Sequence, residues 1–301
     1  MNAREWTTLF KEYLTGIRHY SPHTATAYES DVADFASFCE REDLGFFNQA
    51  SERTAKFYMS ELNAKYPPQT VIRKVSAIRA YFYFLLDQEE IKTHPFLSVK
   101  LPKRPRVTPE FLYDDEVEKM FAAIDRDTPR GMRDYTVLFL LYTSGLRVSE
   151  LVGLTLKDID LNARIMKVRG KGQKDRIVPI SDEFKTQYES YLLISRPAYV
   201  KKKRHTKVFV NQKGDPITPA GVRYLLKEIM RVSASFLNVT PHMLRHTFAS
   251  HMIKKGADLR SVQELLGHAN LSSTQIYTHI AKDDMLEKYQ AAHPRGKKND
   301  V

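Results

Sequence analysis

Four short segments of this 301-residue chain carry side chains that could act together on one anion. Gly145-Leu-Arg147 puts an arginine where one helix stops and the next begins, so helix amides and a guanidinium fork can face the same ligand. Gly170-Lys171-Gly172 carries a lysine between two residues without side-chain bulk, so that turn can approach a ligand backbone and Lys171 could deliver a proton. His242-Met-Leu-Arg245-His246 places His242 and Arg245 three apart, on one helix face. Leu266-Gly267-His268 ends a helix and throws His268 into a loop, nine residues before Tyr277. Two arginines, a lysine and two histidines need an anion to share, and a phenol among them is a candidate nucleophile for phosphoryl transfer.

Each segment alone has an ordinary explanation. Arg147 could pair with Glu150 on the surface, Lys171 could be a solvated turn residue, and Tyr277 could be packing. His242 and His246 are spaced as a metal pair, but a zinc protease would want a glutamate between them and a third ligand. Arg245 stands there instead and would repel the ion, so we expect no metal and no cofactor. Only the whole set points to chemistry.

The elements that must position these groups differ along the chain. Residues 1–99 read as all-α: Ser21-Pro22 starts a helix whose Tyr28, Val32, Phe35 and Phe38 form an apolar stripe. A second helix follows Pro67-Pro68, buries Val71, Val75, Ile78 and Phe82, and turns Arg73, Lys74 and Arg79 outward as candidate phosphate contacts. Residues 100–109 hold three prolines and four cations without an acid, and read as an extended linker. Residues 110–301 read as mainly helical, over 113–123, 135–143, 218–232, 240–255, 259–266, 272–280 and 283–291. Two short strands, 164–169 and 176–180, join through the glycine turn, and Val208–Val210 is expected as a third.

Charge and composition agree with a polyanionic partner. The net charge is +11, and the excess lies in residues 100–301, since residues 1–99 carry a small negative balance. The longest apolar run, Val137 to Tyr142, is far short of a membrane span, the first 20 residues show no secretory pattern, and Cys39 stands alone. These features suit a cytoplasmic protein without a membrane partner.

Taken in order and spacing, Gly145-Leu-Arg147, Gly170-Lys171-Gly172, His242-Met-Leu-Arg245-His246, Leu266-Gly267-His268 and Ile276-Tyr277 resemble the tyrosine recombinase (phage integrase-like) family. Ser21-Pro22-His23-Thr24 resembles its core-binding helix start, and His293-Pro294-Arg295 resembles the ending of the bacterial Xer subgroup. The resemblance implies an all-α, SAM-like core-binding domain joined to an α-rich catalytic domain with a small antiparallel sheet, together a C-shaped clamp on double-stranded DNA. It implies Tyr277 as the nucleophile forming a 3′-phosphotyrosine, Arg147 and Arg245 as the clamp on the non-bridging oxygens, and Lys171 as general acid. His242 would assist proton transfer at the tyrosine, and His268 would be the remaining transition-state donor.

Arg223 and Lys227 lie four apart on the helix after Thr218-Pro219, and Lys174 and Arg176 flank the hairpin, as further DNA-contact candidates; the resemblance places that helix in a groove and makes Arg223 a candidate base reader. It implies a tetramer on two sites that resolves chromosome or plasmid dimers, with a second recombinase and a DNA translocase as possible partners. Residues 283–301 would dock into a neighbouring protomer, so that deleting 281–301 would leave monomer folding intact. A mobile-element integrase, a type IB-like topoisomerase and a non-catalytic DNA-binding module are the alternatives.

Overall fold

In the computed structural model the chain is described over residues 3–103, 111–170, 175–201, 203, 205–233, 237–267, 289, 293 and 295. It divides into two compact units, Met1–Val107 and Thr108–Val301.

The first unit is built of α1 (Ala3–Gly16), α2 (Pro22–Arg41), α3 (Glu52–Lys65) and α4 (Pro68–Asp87). Ser21 Oγ accepts from the Thr24 amide and Pro22 fills the first turn, which fixes the start of α2. The core is largely aromatic: Phe10, Phe35, Phe38, Tyr58, Tyr81, Phe82 and Phe96 are all buried and meet edge-on or tilted, save Phe35 and Phe38, which stack. Ser51 and Thr54 close a capping box at the head of α3, a helix absent from the sequence reading.

The second unit contains α5 (Asp114–Ala122), α6 (Pro129–Ser144), α7 (Val148–Gly153), β1 (Ile159–Asp160), β2 (Ile165–Arg169) and β3 (Asp175–Pro179). After these come α8 (Asp182–Ser190), a π turn at Tyr191–Ser195, α9 (Arg196–Val200), α10 (Pro219–Val232), α11 (Pro241–Lys254) and α12 (Leu259–Leu266). Helix α6 is buried on every face from Arg133 to Ser144, as a helix without a polar stripe must be. It ends at Gly145 in a left-handed turn, where an added Cβ would stand 2.6 Å from Phe248 Cδ1 and 2.8 Å from Leu266 Cδ2. A side chain here would push apart the elements that carry the site.

The sheet is antiparallel in the order β1-β2-β3, with Val168 opposite Arg176. The third strand is β1, not Val208–Val210. That segment is buried, yet Val210 makes only an isolated bridge with Pro216, flanked by one bond from the Ile217 amide to the Phe209 carbonyl and one from the Asn211 amide to the Asp215 carbonyl. The helices expected over 272–280 and 283–291, and most of the linker expected over 100–109, lie outside the described residues, Tyr289 excepted.

Three residues of the C-terminal segment sit in the core of their own chain. Tyr289 and His293 are 2% exposed, and the His293 ring stacks on Phe248 and meets Tyr142 edge-on. Arg295 donates to both Glu118 oxygens at 2.9 and 2.8 Å and to Glu183 at 3.2 Å, with its guanidinium 3.9 Å from the Phe121 ring centre. The expectation that this segment can be removed without harm to folding is therefore revised. It contributes packing to the second unit itself.

Candidate active site

Arg245 emerges from the second turn of α11, which Thr240 caps through its hydroxyl with Pro241 at the first position. Its guanidinium is buried and locked: Nη1 donates to the Gly145 carbonyl and Nη2 to the Leu266 carbonyl, both at 2.6 Å. Both carbonyls lie at helix C-termini, where a cation is favoured. Two of its five N–H groups are spent on this frame, and the fork geometry aims the rest.

Arg147 is the N-cap residue of α7, one step past the glycine turn that receives Arg245. Its amide donates to Glu150 Oε2 at 2.8 Å and its Nη1 to Glu150 Oε1 at 2.9 Å, while its side chain is 41% exposed. Burial first, and then the positive charge of Arg147, push the Arg245 guanidinium down to about 10, with Glu150 opposing and Arg176 adding to the effect. Arg245 stays charged at neutral pH. A buried cation that feels the charge of a second one makes a site that an anion would relieve.

Glu150 is the acid between them. It is 7% exposed, and burial raises its carboxyl. Hydrogen bonds and charge from Arg176, then from Arg147, outweigh burial and hold it below its ordinary value. Sequence reasoning treated Glu150 only as a rival partner of Arg147. The three-residue spacing of a capping box was the available signal.

Arg176 does not stand where the sequence put it. It was expected to flank the hairpin as a DNA contact, yet it is 7% exposed. Nη1 and Nη2 donate to the two Glu150 oxygens at 2.8 Å each, and Nε donates to the Leu265 carbonyl at 2.9 Å. A bidentate buried pair leaves this guanidinium turned inward.

His242 is exposed, and its ring centre lies 4.6 Å from that of His246. Burial, then the charges of His242 and Arg245, hold His246 below its ordinary value. Among the described residues no group of three or more histidine, cysteine or acidic side chains is arranged to hold a metal. Lys171, Lys174, His268 and Tyr277 lie outside the described residues. The elements that carry three of them are described up to their flanks: β2 and β3 bracket 171–174, and α12 ends at Gly267, beside His268.

Beside Glu150 a cavity of about 750 Å³ opens between α7 and the hairpin, lined by Lys157, Lys167, Arg169 and Lys207 together with Asp158 and Asp175. None of these four cations was singled out from the sequence.

The remaining DNA-contact candidates separate by burial. Arg223 and Lys227 are exposed, with Tyr224 between them 61% exposed on the same stretch of α10. Arg73 is exposed and pairs with Asp31. Lys74 was expected on an outward face but is 5% exposed and pairs with Asp31 and Asp34, because a buried ammonium needs acids around it. Arg79 is half-buried and donates to the carbonyls of Phe96 and Val99 at 3.1 and 2.7 Å, fastening the turn that follows α4.

Among the described residues no helix is long and apolar enough to cross a membrane. Comparison with known proteins shows the family. Residues 110–284 match the phage integrase family, and residues 8–89 match the phage integrase N-terminal SAM-like domain. Tyrosine recombinase XerC of Bacillus licheniformis is 41% identical over 300 residues, covering 99% of both chains. The protein of the same name from Bacillus subtilis strain 168 is 40% identical over 302 residues, again covering 99% of both. Among solved structures, XerH site-specific recombinase bound to difH substrate in a pre-cleavage complex shares the fold with a TM-score of 0.69 at 22% identity, over 92% of this chain and 83% of that one. The Tn1549 transposon integrase in complex with circular intermediate DNA gives 0.66 at 20% identity, over 93% and 98%. Two cations meeting at a helix junction, motifs in family order and full-length likeness lead to one statement: this chain belongs to the phage integrase family of tyrosine recombinases.

Proposed function

We propose that the protein is a site-specific DNA recombinase that cuts and rejoins strands through a covalent link to Tyr277. One observation carries the reading: Arg147 and Arg245, 98 positions apart, meet at the same glycine turn, and the charge of Arg147 reaches the Arg245 guanidinium. A phosphodiester bound there would have its non-bridging oxygens neutralised by guanidinium groups, so no step needs to run through a metal.

In this reading the Tyr277 oxygen attacks the phosphorus in line and the bond to the 5′-oxygen breaks. Lys171 gives that oxygen its proton, His242 assists removal of the phenol proton, and His268 donates to the phosphate. The product is a 3′-phosphotyrosine, itself a phosphodiester, so a 5′-hydroxyl from another strand can reverse the step without ATP. The exposed Arg223-Tyr224-Lys227 stretch of α10 suits a DNA groove, with Arg223 as candidate base reader and Lys174 near the hairpin as a phosphate contact.

In this reading the enzyme resolves chromosome or plasmid dimers, a role that fits its likeness to tyrosine recombinase XerC; a cytoplasmic location, a tetramer on two sites, a second recombinase and a DNA translocase belong to the same proposal. The test is a duplex nicked beside the cleavage position, which traps the covalent enzyme. Wild type should form an adduct that withstands denaturation, unaffected by a chelator, and Tyr277→Phe should form none. No adduct with wild type would defeat the reading. Exchange between two marked duplexes then distinguishes recombination from simple relaxation.

A further inference from the structure

The chemistry above makes no use of Arg176, yet this side chain joins three elements of the site. From β3 it grips the carboxylate of Glu150 on α7 with two bonds of 2.8 Å, and the carbonyl of Leu265 in the last turn of α12 with one of 2.9 Å. Gly267, the left-handed cap of α12, lies against it so closely that a Cβ there would stand 3.0 Å from Arg176 Cδ. Residue 268, the histidine expected at the phosphate, is next in the chain. Glu150 Oε1 accepts from Arg147 as well as from Arg176, so one carboxylate sits between two guanidinium groups.

That stoichiometry has an electrostatic consequence. If Glu150 faced Arg147 alone, the two would form a neutral pair, and the carboxylate would compete with a phosphate for the same donors. With Arg176 bound to both oxygens the trio carries a net positive charge. Arg147, the exposed member, is where that charge meets solvent. The frame is fixed by the buried pair, and the reactive face is left to the exposed one.

We propose that Arg176 is a positioning residue for strand cleavage. It registers the Arg147–Glu150 pair of α7 against the last turn of α12, and neutralises Glu150 so that the Arg147 guanidinium remains available to the scissile phosphate. The role rests on the recombinase reading given above.

The experiment measures two quantities on the full-length protein: the single-turnover rate of adduct formation on a nicked duplex, and the dissociation constant for that duplex. Arg176→Gln should slow cleavage by about 10- to 100-fold, the scale of a small misplacement of reacting groups. Its dissociation constant should stay within about threefold of wild type, because a side chain that never meets DNA contributes no uniform binding. Arg176→Lys, which keeps the charge without the fork, should fall between. The Glu150→Gln/Arg176→Gln double variant should cleave faster than Arg176→Gln alone, since the neutral amide cannot sequester Arg147.

A double variant slower than, or equal to, the single one would overturn the proposal, as would wild-type cleavage by Arg176→Gln. Should Arg176→Gln fail to fold, Arg176→Lys decides: slower cleavage at unchanged affinity supports the role, and a wild-type rate overturns it. An inactive wild type would instead remove the recombinase reading, an outcome distinct from unaffected variants beside an active wild type.

Discussion

Arg245 and Gly145 stand 100 positions apart, and the guanidinium of the first donates to the carbonyl of the second at 2.6 Å. Through that bond the helix carrying one phosphate-binding candidate is fastened to the turn that precedes the other. The partner bond, to the Leu266 carbonyl, fastens α12 to the same point. In the proposed reading Arg245 is thus both a charge for the phosphate and the bracket that places Arg147. Lysine can supply the charge but not the two divergent bonds. We expect Arg245→Ala to cost about 3–4 kcal/mol in the cleavage step, and Arg245→Lys to recover only a minor part. Single-turnover adduct formation reads both.

Gly145 is the second half of that relationship. Its positive φ and the crowding by Phe248 and Leu266 leave no room for a methyl group. Gly145→Ala should destabilise the catalytic unit by about 1–3 kcal/mol and should slow cleavage further by moving Arg147 away from Arg245. Thermal unfolding and adduct formation, measured side by side, separate the two effects.

His293 gives the protein an acid limit. Burial foremost holds its imidazole down to about 3, with the charges of His251 and Arg295 adding and a backbone hydrogen bond at Tyr142 opposing. The unfolded chain takes up a proton near pH 6.5 while the folded one refuses it. The stability this neutral ring contributes is whole above pH 6.5 and is lost as the pH falls toward 3. Between pH 6.5 and 5 the loss from this group approaches about 2 kcal/mol. His293→Leu should flatten that part of the Tm-against-pH curve, and an unchanged slope would contradict the assignment.

Arg295 anchors the C-terminal segment to its own chain through Glu118, Glu183, the Tyr135 hydroxyl and the face of Phe121. Removing one partner of such a half-enclosed network strands the acids, Glu183 most of all. Arg295→Ala should cost about 2–4 kcal/mol, measured as a lowered denaturant midpoint. Deleting residues 281–301 should cost more, since Tyr289 and His293 leave with it.

These features were readable from the sequence to different depths, for a physical reason. Helix starts at Ser21-Pro22 and Thr240-Pro241 and helix ends at Gly145 and Gly267 are set by neighbours within four positions, so residue type alone announces them. Arg147 and Arg245 stood out because their motifs are local too. The function of Arg176 depends on an acid 26 positions away and a carbonyl 89 positions away, distances at which no periodicity speaks. Lys74 misled in the same manner. Its charge assigned it to an outward face, whereas Asp31 and Asp34 on α2 make the inward one habitable. Val208–Val210 has the composition of a strand but pairs only through the isolated bridge from Val210 to Pro216.

The central claim is that Arg147 and Arg245 serve the negative charge of one phosphate. The measurement that addresses it most directly replaces the scissile phosphate of the nicked duplex with a neutral methylphosphonate and compares wild type, Arg147→Ala and Arg245→Ala. With one negative charge fewer to neutralise, Arg147→Ala should cleave the neutral linkage at a rate near that of wild type, and Arg245→Ala should regain the part of its loss that is not due to the broken bracket, although both fail on the phosphate. Equal losses on the charged and neutral linkages would contradict it.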